Sequence, residues 1–326
     1  MNDSIGFLCA PPAGSRDRAE QRQSRWGFTL VELAMVLGIL GVVGSAIGVT
    51  LLRQQRFYRG TEELVGAREG VRDAIEILST DIRGMSIADT ARLLADSAVE
   101  LFASLGSSVV CQVAGSEIGL PAGTTPRGNT LTAFLTQPDT GDLALFLRDS
   151  ADAGSLWERH RIAAFSARSK ATTCPPSTGF AAADDVDATG TAFVVVLSTS
   201  LSDHVHRGSP VRFIRRGRYS LYRSSDGSWY LGYRRCNALG PSVCGAIQPL
   251  SGPYRAYSSN PRSTGLLFEF FDASGGRLTP GSASLALARI DITARSEGGQ
   301  SVAVEGRSWI PADSASVSIA VRNRGQ

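Results

Sequence analysis

One apolar run near the start of the chain limits what this sequence can fold into. Residues 28–52 carry a single charged side chain, Glu32, and contain no proline, so one helix can pass through the segment without a break. At 1.5 Å per residue the run spans roughly 37 Å, which is longer than the bilayer core of about 30 Å. The run therefore predicts a membrane-spanning helix.

The flanking residues favour an anchor whose N-terminus lies in the cytoplasm. Positively charged side chains on the cytoplasmic flank set the orientation of a first membrane helix. The arginines that precede the run are Arg16, Arg18, Arg22 and Arg25. A cleaved secretory signal peptide fits less well, because its apolar region is shorter and ends in a small-residue cleavage site.

Glu32 is the informative residue of this segment. A carboxylate inside an apolar span is costly unless it is paired, so it marks a functional position. If the chain were cut between Gly27 and Phe28, the new α-amine of Phe28 would lie about one helical turn from Glu32. In an assembly of parallel helices that amine can neutralise the Glu32 of a neighbour. The alternative is an ordinary signal anchor with an acid near the membrane interface.

The run Gly27-Phe28-Thr29-Leu30-Val31-Glu32, followed by an unbroken apolar helix, resembles the type IV prepilin signature. That family contains pilins, minor pilins and the pseudopilins of type II secretion. The resemblance implies that a prepilin peptidase cleaves after Gly27 and N-methylates Phe28, and that Glu32 acts in assembly. It also implies an inner-membrane protein whose head lies in the periplasm. Its partners would be other minor pilins and the major pilin.

Three further segments resemble minor pilins of the PilW kind and, equally, J-type pseudopilins: residues 74–83, 266–272 and 288–295. The apolar helix lacks the proline that major pilins usually carry, which favours a minor component. Removal of 27 residues from 326 would leave 299, which favours the PilW-like minor pilin because J-type pseudopilins tend to be shorter. The secretion pseudopilin remains the nearest alternative, and a pilus-borne receptor for DNA or surfaces a further one.

The residues after 52 predict that the helix continues to about residue 83 and packs on a globular head. Apolar side chains recur there at helical spacing: Leu64, Val71, Ile75, Leu78 and Ile82. The resulting fold class is α+β and pilin-like, with a long N-terminal helix packed on a mainly antiparallel β-sheet head. The predicted divisions are a leader at 1–27, an assembly helix at 28–52, its amphipathic continuation at 53–85 and a β-rich head at 86–326.

Within the head, the sequence predicts a short helix at about 88–105, then mostly strands. Loops are expected at 168–190 and 236–264, which are rich in Pro, Ser and Gly. Turns are expected at 224–228 and 272–276. The predicted strands are 131–135, 143–147, 193–197, 211–214, 219–222, 229–233, 266–271, 286–294 and 301–309.

Five cysteines are present, of which Cys9 lies in the predicted leader. The four that remain are an even number in a head expected outside the cytoplasm, where disulfides form. Cys236 and Cys244 flank a short loop and are the favoured pair, and Cys111 with Cys174 would be the other by elimination. Two free buried thiols remain an alternative. The spacing does not match a zinc site.

The sequence carries no recognisable catalytic motif, so we expect neither enzymatic activity nor a cofactor. His204 and His206 would lie on one face of a strand, a spacing that metals can use, but a third ligand is not evident and surface histidines are commoner. Residues 185–190 resemble the start of a calcium loop, but the twelfth position would be Val196 rather than an acid. We therefore predict no metal site.

A cluster of arginines and aromatic residues spans 212–235. Such a mixture suits stacking and phosphate binding, but alternating strands with aromatics inward and arginines outward give the same pattern. The structural interpretation is favoured, and nucleic-acid binding is kept as the lesser alternative, since the net charge of +3 is too small to imply it. The arginines are Arg212, Arg215, Arg216, Arg218, Arg223, Arg234 and Arg235.

Overall fold

The structure is a computed structural model. It describes residues 27, 29–85, 93–123, 131–150, 154–179, 191–279, 287–298, 301–304 and 307–321. These residues form one long helix, a large antiparallel sheet and a small separate hairpin. The chain is therefore of the α+β class. It divides into two compact units, residues 1–55 and 56–326, which are treated separately below.

Helix α1 runs from Leu30 to Gly84, one residue beyond the predicted end. The amide of Glu32 donates a 3.2 Å hydrogen bond to Oγ1 of Thr29, which is the geometry of an N-cap side chain. An acid three residues after the cap also suits the positive end of the helix dipole. Proline is absent from Leu30–Gly84, so the backbone hydrogen bonds can continue for 55 residues.

In the first unit, the described part of α1 is apolar and uncovered. Its residues are exposed along the whole segment except at Gly48, which is half-buried. Leu30 is 84% exposed and Val42 is 70% exposed. The helix is long and apolar enough to cross a membrane, on the evidence of its length and composition.

In the second unit, α1 buries one stripe against the sheet. Its buried apolar residues recur every three or four positions, as one face of a helix requires. All of them except Ala67 share one hydrophobic cluster, the first core, with residues of the sheet such as Phe268 and Ile292. Each fully buried Leu or Ile contributes about 1.5–3 kcal/mol. The stripe is Ala67, Val71, Ala74, Leu78 and Ile82.

Polar side chains from the sheet also bind the helix backbone. The hydroxyl of Tyr254 donates to the carbonyl of Gly70 at 2.5 Å, and Oγ of Ser296 donates to the carbonyl of Ala67 at 2.6 Å. Burial raises the pKa of Tyr254 to about 12. The hydroxyl of Tyr219 donates to Asp81, and burial raises the pKa of that carboxyl. These bonds fix the position of the helix on the sheet.

All pairings in the large sheet are antiparallel. The strands are β1 Leu93–Ala95, β2 Ala98–Val109, β3 Gln112–Ala114, β4 Glu117–Leu120, β5 Ala133–Phe134, β6 Leu143–Ser150, β7 Gly154–Ser169, β8 Thr191–Leu197, β9 Pro210–Arg223, β10 Trp229–Arg235, β11 Gln248–Tyr254, β12 Leu266–Phe271, β13 Arg289–Glu297, β14 Val302–Val304, β15 Arg307–Trp309 and β16 Ala312–Ala320. Among the described residues the order is β12-β13-β11-β10-β9-β6-β7-β8-β4-β3, with β16 on β13, β2 on β9, and β1 and β5 on β2. Strands β14 and β15 form the separate hairpin.

Strand β9 belongs to two halves of the sheet. One edge of β9 pairs with β2 along most of its length. On the other edge, residues 211–214 pair with β6 and residues 217–223 pair with β10. The first core lies in the β10 half. A second core, which includes Ile118, Phe146 and Phe213, lies in the β6 half. Arg215 and Arg216 fall where β9 changes partner.

Several strand predictions are confirmed. Strand β12 has the predicted bounds, and β6, β8 and β10 contain their predicted segments. The segments 211–214 and 219–222 belong to one strand, β9, because pairing with β2 continues through the residues between them. The turns at 224–228 and 272–276 are closed by hydrogen bonds from the Ser224 amide to the Ser228 carbonyl and from the Asp272 amide to the Gly276 carbonyl.

Other predictions are wrong. The described part of 88–105 is not a helix but strands β1 and β2, because β2 pairs with β9 over almost its whole length. Residues 131–135 contain only the two-residue β5, and 301–309 holds the two strands of a hairpin. The loop predicted at 236–264 contains β11, which tolerates proline through an irregular register with β10. The predicted loop at 168–190 begins with the last two residues of β7 and a short helix, α2 Lys170–Thr173.

Candidate functional site

The N-terminal candidate site consists of Gly27, Phe28 and Glu32. Gly27 is exposed, and Phe28 lies outside the described residues. Glu32 occupies the first turn of α1, is exposed and forms no ion pair within the described part of the chain.

The glycines that follow Glu32 meet no described residue beyond their own stretch of helix. A Cβ atom added at Gly38, Gly41, Gly44 or Gly48 would have no described atom within 4 Å apart from adjacent residues and the nearby helix backbone. Contacts within the first unit therefore do not explain why these positions are glycine. Small residues on a membrane helix allow a second helix to approach closely.

The predicted arginine cluster is mainly a network of internal ion pairs, and its centre is Glu100 on β2. The Glu100 carboxylate is 1% exposed and accepts a 2.6 Å bond from Nε of Arg216, whose side chain is 2% exposed. Arg218 donates to the other oxygen from Nε at 3.0 Å and from Nη2 at 2.8 Å. Burial alone would raise the pKa of Glu100, but hydrogen bonds from Ser242, Arg218 and Arg216 outweigh burial and lower it.

A second buried carboxylate, Asp142, takes two more of these arginines. Arg215 binds both of its oxygens, at 2.9 and 2.7 Å, a bidentate pair of the stronger kind. Arg235 adds a bond of 2.9 Å to Asp142 and another of 2.9 Å to Asp139. The hydrogen bond from Arg235 is the largest cause of the lowered pKa of Asp139. Both acids lie in the connection before β6, so they join it to β9 and β10.

The remaining arginines have local roles. Arg212 stacks over the ring of Trp157 at 4.8 Å, and Arg223 donates to the carbonyl of Gly227 at 3.2 Å. Arg234 forms no ion pair with any described residue. Four of the seven arginines are therefore held in ion pairs within the chain, which supports the structural interpretation over a phosphate-binding surface.

The Glu100 network also holds the loop between Cys236 and Cys244. Nη1 of Arg216 donates to the carbonyls of Asn237 and Gly240 at 3.0 and 3.3 Å. Oγ of Ser242 donates to Glu100 at 2.6 Å. A buried ion pair and a disulfide thus fix the same loop. The loop exposes two apolar side chains, Leu239 and Val243, beside a cavity of about 400 Å³.

The structure joins Cys236 to Cys244 and Cys111 to Cys174, with Cα atoms 3.9 and 5.7 Å apart. These are the pairs that the sequence favours. The ligand atoms of Glu100, Cys236 and Cys244 lie within 4.8 Å of one another. They do not suit a metal ion, because the disulfide uses both sulfurs and two guanidinium groups bind the carboxylate.

The histidines have different surroundings from those predicted. Residues 201–208 are turns rather than a strand, so His204 and His206 do not share a strand face. His160 is buried and lies between Glu158, at 2.6 Å, and Oγ1 of Thr199, at 2.8 Å. Glu158 also accepts bonds from the Ser202 amide and hydroxyl. This chain of bonds ties the segment after β8 to β7. The possible calcium loop at 185–190 lies outside the described residues.

Sequence reasoning missed the three carboxylates that organise these networks, Glu100, Asp142 and Glu158. Glu100 and Asp142 lie far from their arginine partners in sequence, by 116 residues for Arg216 and 73 for Arg215, and Glu158 is two residues from His160 but 44 from Ser202. An acid between apolar residues in Ala98–Val109 was the only available signal. Comparison of the chain with protein-family models, curated proteins and solved structures finds no match in any of the three.

Proposed function

We propose that this chain is a prepilin-like subunit that is anchored in the inner membrane and takes part in starting or capping a type IV pilus. The observation that carries the proposal is the run Gly27-Phe28-Thr29-Leu30-Val31-Glu32 directly before a long, apolar and uncovered helix. Glu32, which has no ion-pair partner among the described residues, and the glycines that meet no other described part of the chain both suit a helix that leaves the membrane to pack among other helices. The finer assignment is a minor pilin of the PilW kind.

The second unit supports the proposal in two ways. A helix packed on an antiparallel sheet is the head that the resemblance implies. Two disulfides suit a head in the oxidising periplasm. Neither observation is specific to pilins, so the N-terminal run remains the main support.

Cleavage provides the first test. In cells that contain a prepilin peptidase, the full chain should be shortened by residues 1–27, and the mature protein should begin with N-methylated Phe28. Gly27→Leu should block the shortening, whereas Gly14→Leu, a leader glycine away from the cut, should not. Intact-mass measurement shows whether the unmodified protein and each of the two variants has lost residues 1–27. Normal shortening of the Gly27→Leu protein would show that the proposed cleavage is wrong.

Assembly provides the second test. Glu32→Ala should leave cleavage intact but abolish recovery of the protein in purified fibres, because the apolar helix would lose its partner for the neighbouring α-amine. Glu62→Ala removes an exposed acid from the same helix and should have no such effect. Equal recovery of both variants would remove the role given to Glu32.

Deletion separates the minor pilin from the type II pseudopilin. Loss of surface pili on electron micrographs, restored by the cloned gene, would support the minor pilin. Normal pili with lost secretion would favour the pseudopilin. Normal pili and normal secretion would favour a receptor that the fibre carries but does not need.

A further inference from the structure

Strand β16 lies at an edge of the sheet as far as the described residues show. It pairs with β13 over nine residues, from Ala312 opposite Glu297 to Ala320 opposite Arg289, without a bulge. Among the described residues no strand pairs with its other edge. Proteins usually protect a long edge with lysine, proline or a bulge, and Ala312–Ala320 contains none of these.

The hydrogen bonds at the two ends of the ladder show which groups point outward. The Gly298 amide donates to the carbonyl of Pro311, and the Val321 amide donates to the carbonyl of Ala288. Residues directly opposite in an antiparallel pair alternate between bonded and non-bonded, so the odd-numbered residues of β16 bond to β13. The even-numbered residues direct their amides and carbonyls away from β13. They are Ala312, Ser314, Ser316, Ser318 and Ala320.

This outward edge is sterically open. The five even-numbered residues are alanine or serine and all are exposed, so no large side chain hinders an approaching backbone. Only the Ser314 amide has a partner among the described residues, the adjacent Asp313 carboxylate at 2.8 Å. Asp313 itself is held by Arg68 at 3.8 Å.

A groove lies on the helix side of the same edge. Its volume is about 540 Å³, and its lining includes Val65 and Ile75 of α1 with Ala315 of β16. Arg72 and Glu76 contribute to its charged rim. A strand added to β16 would direct every second side chain toward the helix side, so apolar side chains at those positions would cover Val65, which is 45% exposed.

We propose that the free edge of β16 binds an extended segment of another subunit, whose alternate side chains are apolar and enter this groove. The partner's backbone would continue the sheet, a mode in which main-chain bonds give affinity and alternate side chains give specificity. The identity of the partner as an assembly subunit depends on the proposed function, but the strand addition does not. A second copy paired edge to edge would place the two 56–84 helices in opposite directions, which does not suit a parallel bundle.

The binding test uses the full protein in detergent and fluorescent peptides with the sequence of β13, residues 289–297. The peptide would lie along the outer edge of β16 with each residue opposite the same β16 residue that it faces in β13. In that position Ile290, Ile292 and Ala294 would point toward the groove. N-methylation of those three residues leaves free the amides that face β16. It also prevents the peptide from replacing β13 itself, whose even-numbered amides bond to β16. N-methylation of Asp291, Thr293 and Arg295 instead blocks the edge.

The first peptide should bind saturably in a fluorescence-anisotropy titration, and the second at least about tenfold more weakly. Ser316→Pro removes one outward amide and should weaken the first peptide at least about tenfold, whereas Ser316→Ala should not. Equal binding of the two peptides to the unmodified protein, or no saturable binding of either, would overturn the proposal. So would efficient disulfide dimerisation of Ser316→Cys, which would show that a second copy covers the edge.

These outcomes are distinguishable from failure of the proposed function. The peptide assay requires neither cleavage nor fibres. If the peptide binds but the protein is not cleaved after Gly27, the edge site would still hold, on a protein that is not a prepilin. Cleavage without strand binding would leave a prepilin whose partners attach elsewhere.

Discussion

Replacing Glu100 by alanine should destabilise the head more than the loss of any exposed ion pair does. The substitution leaves the Arg216 guanidinium in place at 2% exposure, and arginine cannot lose its proton to avoid the cost. Breaking a buried pair from one side costs about 3–5 kcal/mol of unfolding free energy. Arg218, at 28% exposure, can regain water and should add little.

The assay is urea unfolding of the full protein in detergent, with disulfides intact, followed by tryptophan fluorescence. Glu117→Ala is the matched control, because Glu117 pairs with Arg168 at 43% and 48% exposure. Exposed pairs contribute at most about 1 kcal/mol. The difference between the two variants isolates the effect of burial.

A double variant separates charge from packing. Glu100→Leu combined with Arg216→Leu removes both buried charges, and such replacements are often neutral, so most of the loss should be recovered. If Glu100→Ala costs no more than Glu117→Ala, or if the double variant is as unstable as the single one, the reasoning about the buried charge is wrong.

Three further predictions concern stability. The folded pKa of Glu100 is lowered, so its stabilising effect is present above the ordinary pKa of about 4.3 and is lost as pH falls through the folded value. Urea midpoints of the unmodified protein and of Glu100→Gln, measured at about pH 7 and about pH 3, should therefore differ less in acid. Replacing both cysteines of the Cys111–Cys174 pair by serine should cost about 4 kcal/mol and those of Cys236–Cys244 about 2.5 kcal/mol, because the first closes a longer loop; thermal unfolding of each protein would contradict this if the order were reversed. Gly217→Ala should destabilise the protein by about 1–3 kcal/mol, since the new Cβ would lie 2.4 Å from the Tyr233 ring. Gly66→Ala, whose Cβ would have no described neighbour within 4 Å, should stabilise it by up to about 1 kcal/mol. Urea midpoints that shift in the same direction for both variants would refute the contact argument.

Local patterns were sufficient to predict α1. Its apolar run, its helical spacing from residue 64 onward and the absence of proline act over neighbouring residues, and the observed end at Gly84 differs by one residue. Strand β12 was predicted equally well because its run of apolar and aromatic residues is short and bounded by turns. In both cases the residues that carry the sequence pattern are the same residues that form the element.

Pairing between distant residues explains the main errors. The sequence predicts a short helix in place of β2 because its Ala- and Ser-rich segment is weakly periodic, and its strand form depends on β9, more than 100 residues later. The predictions omit β16, although Ser314, Ser316 and Ser318 alternate there with Ala315, Val317 and Ile319, a pattern typical of a half-buried strand. The acids that pair with the predicted arginine cluster could not be found because they lie far from it in the sequence.

Strand β9 also determines how a mechanical load would pass through the head. The 56–84 part of α1 packs in the first core, so tension applied along the helix enters that half of the sheet directly. The second core contains no residue of α1 and shares with the first half the long strands β2 and β9. The described residues between 110 and 209 thus form an appendage outside the direct load path. Under tension it should keep its shape while the half that holds the helix resists the force.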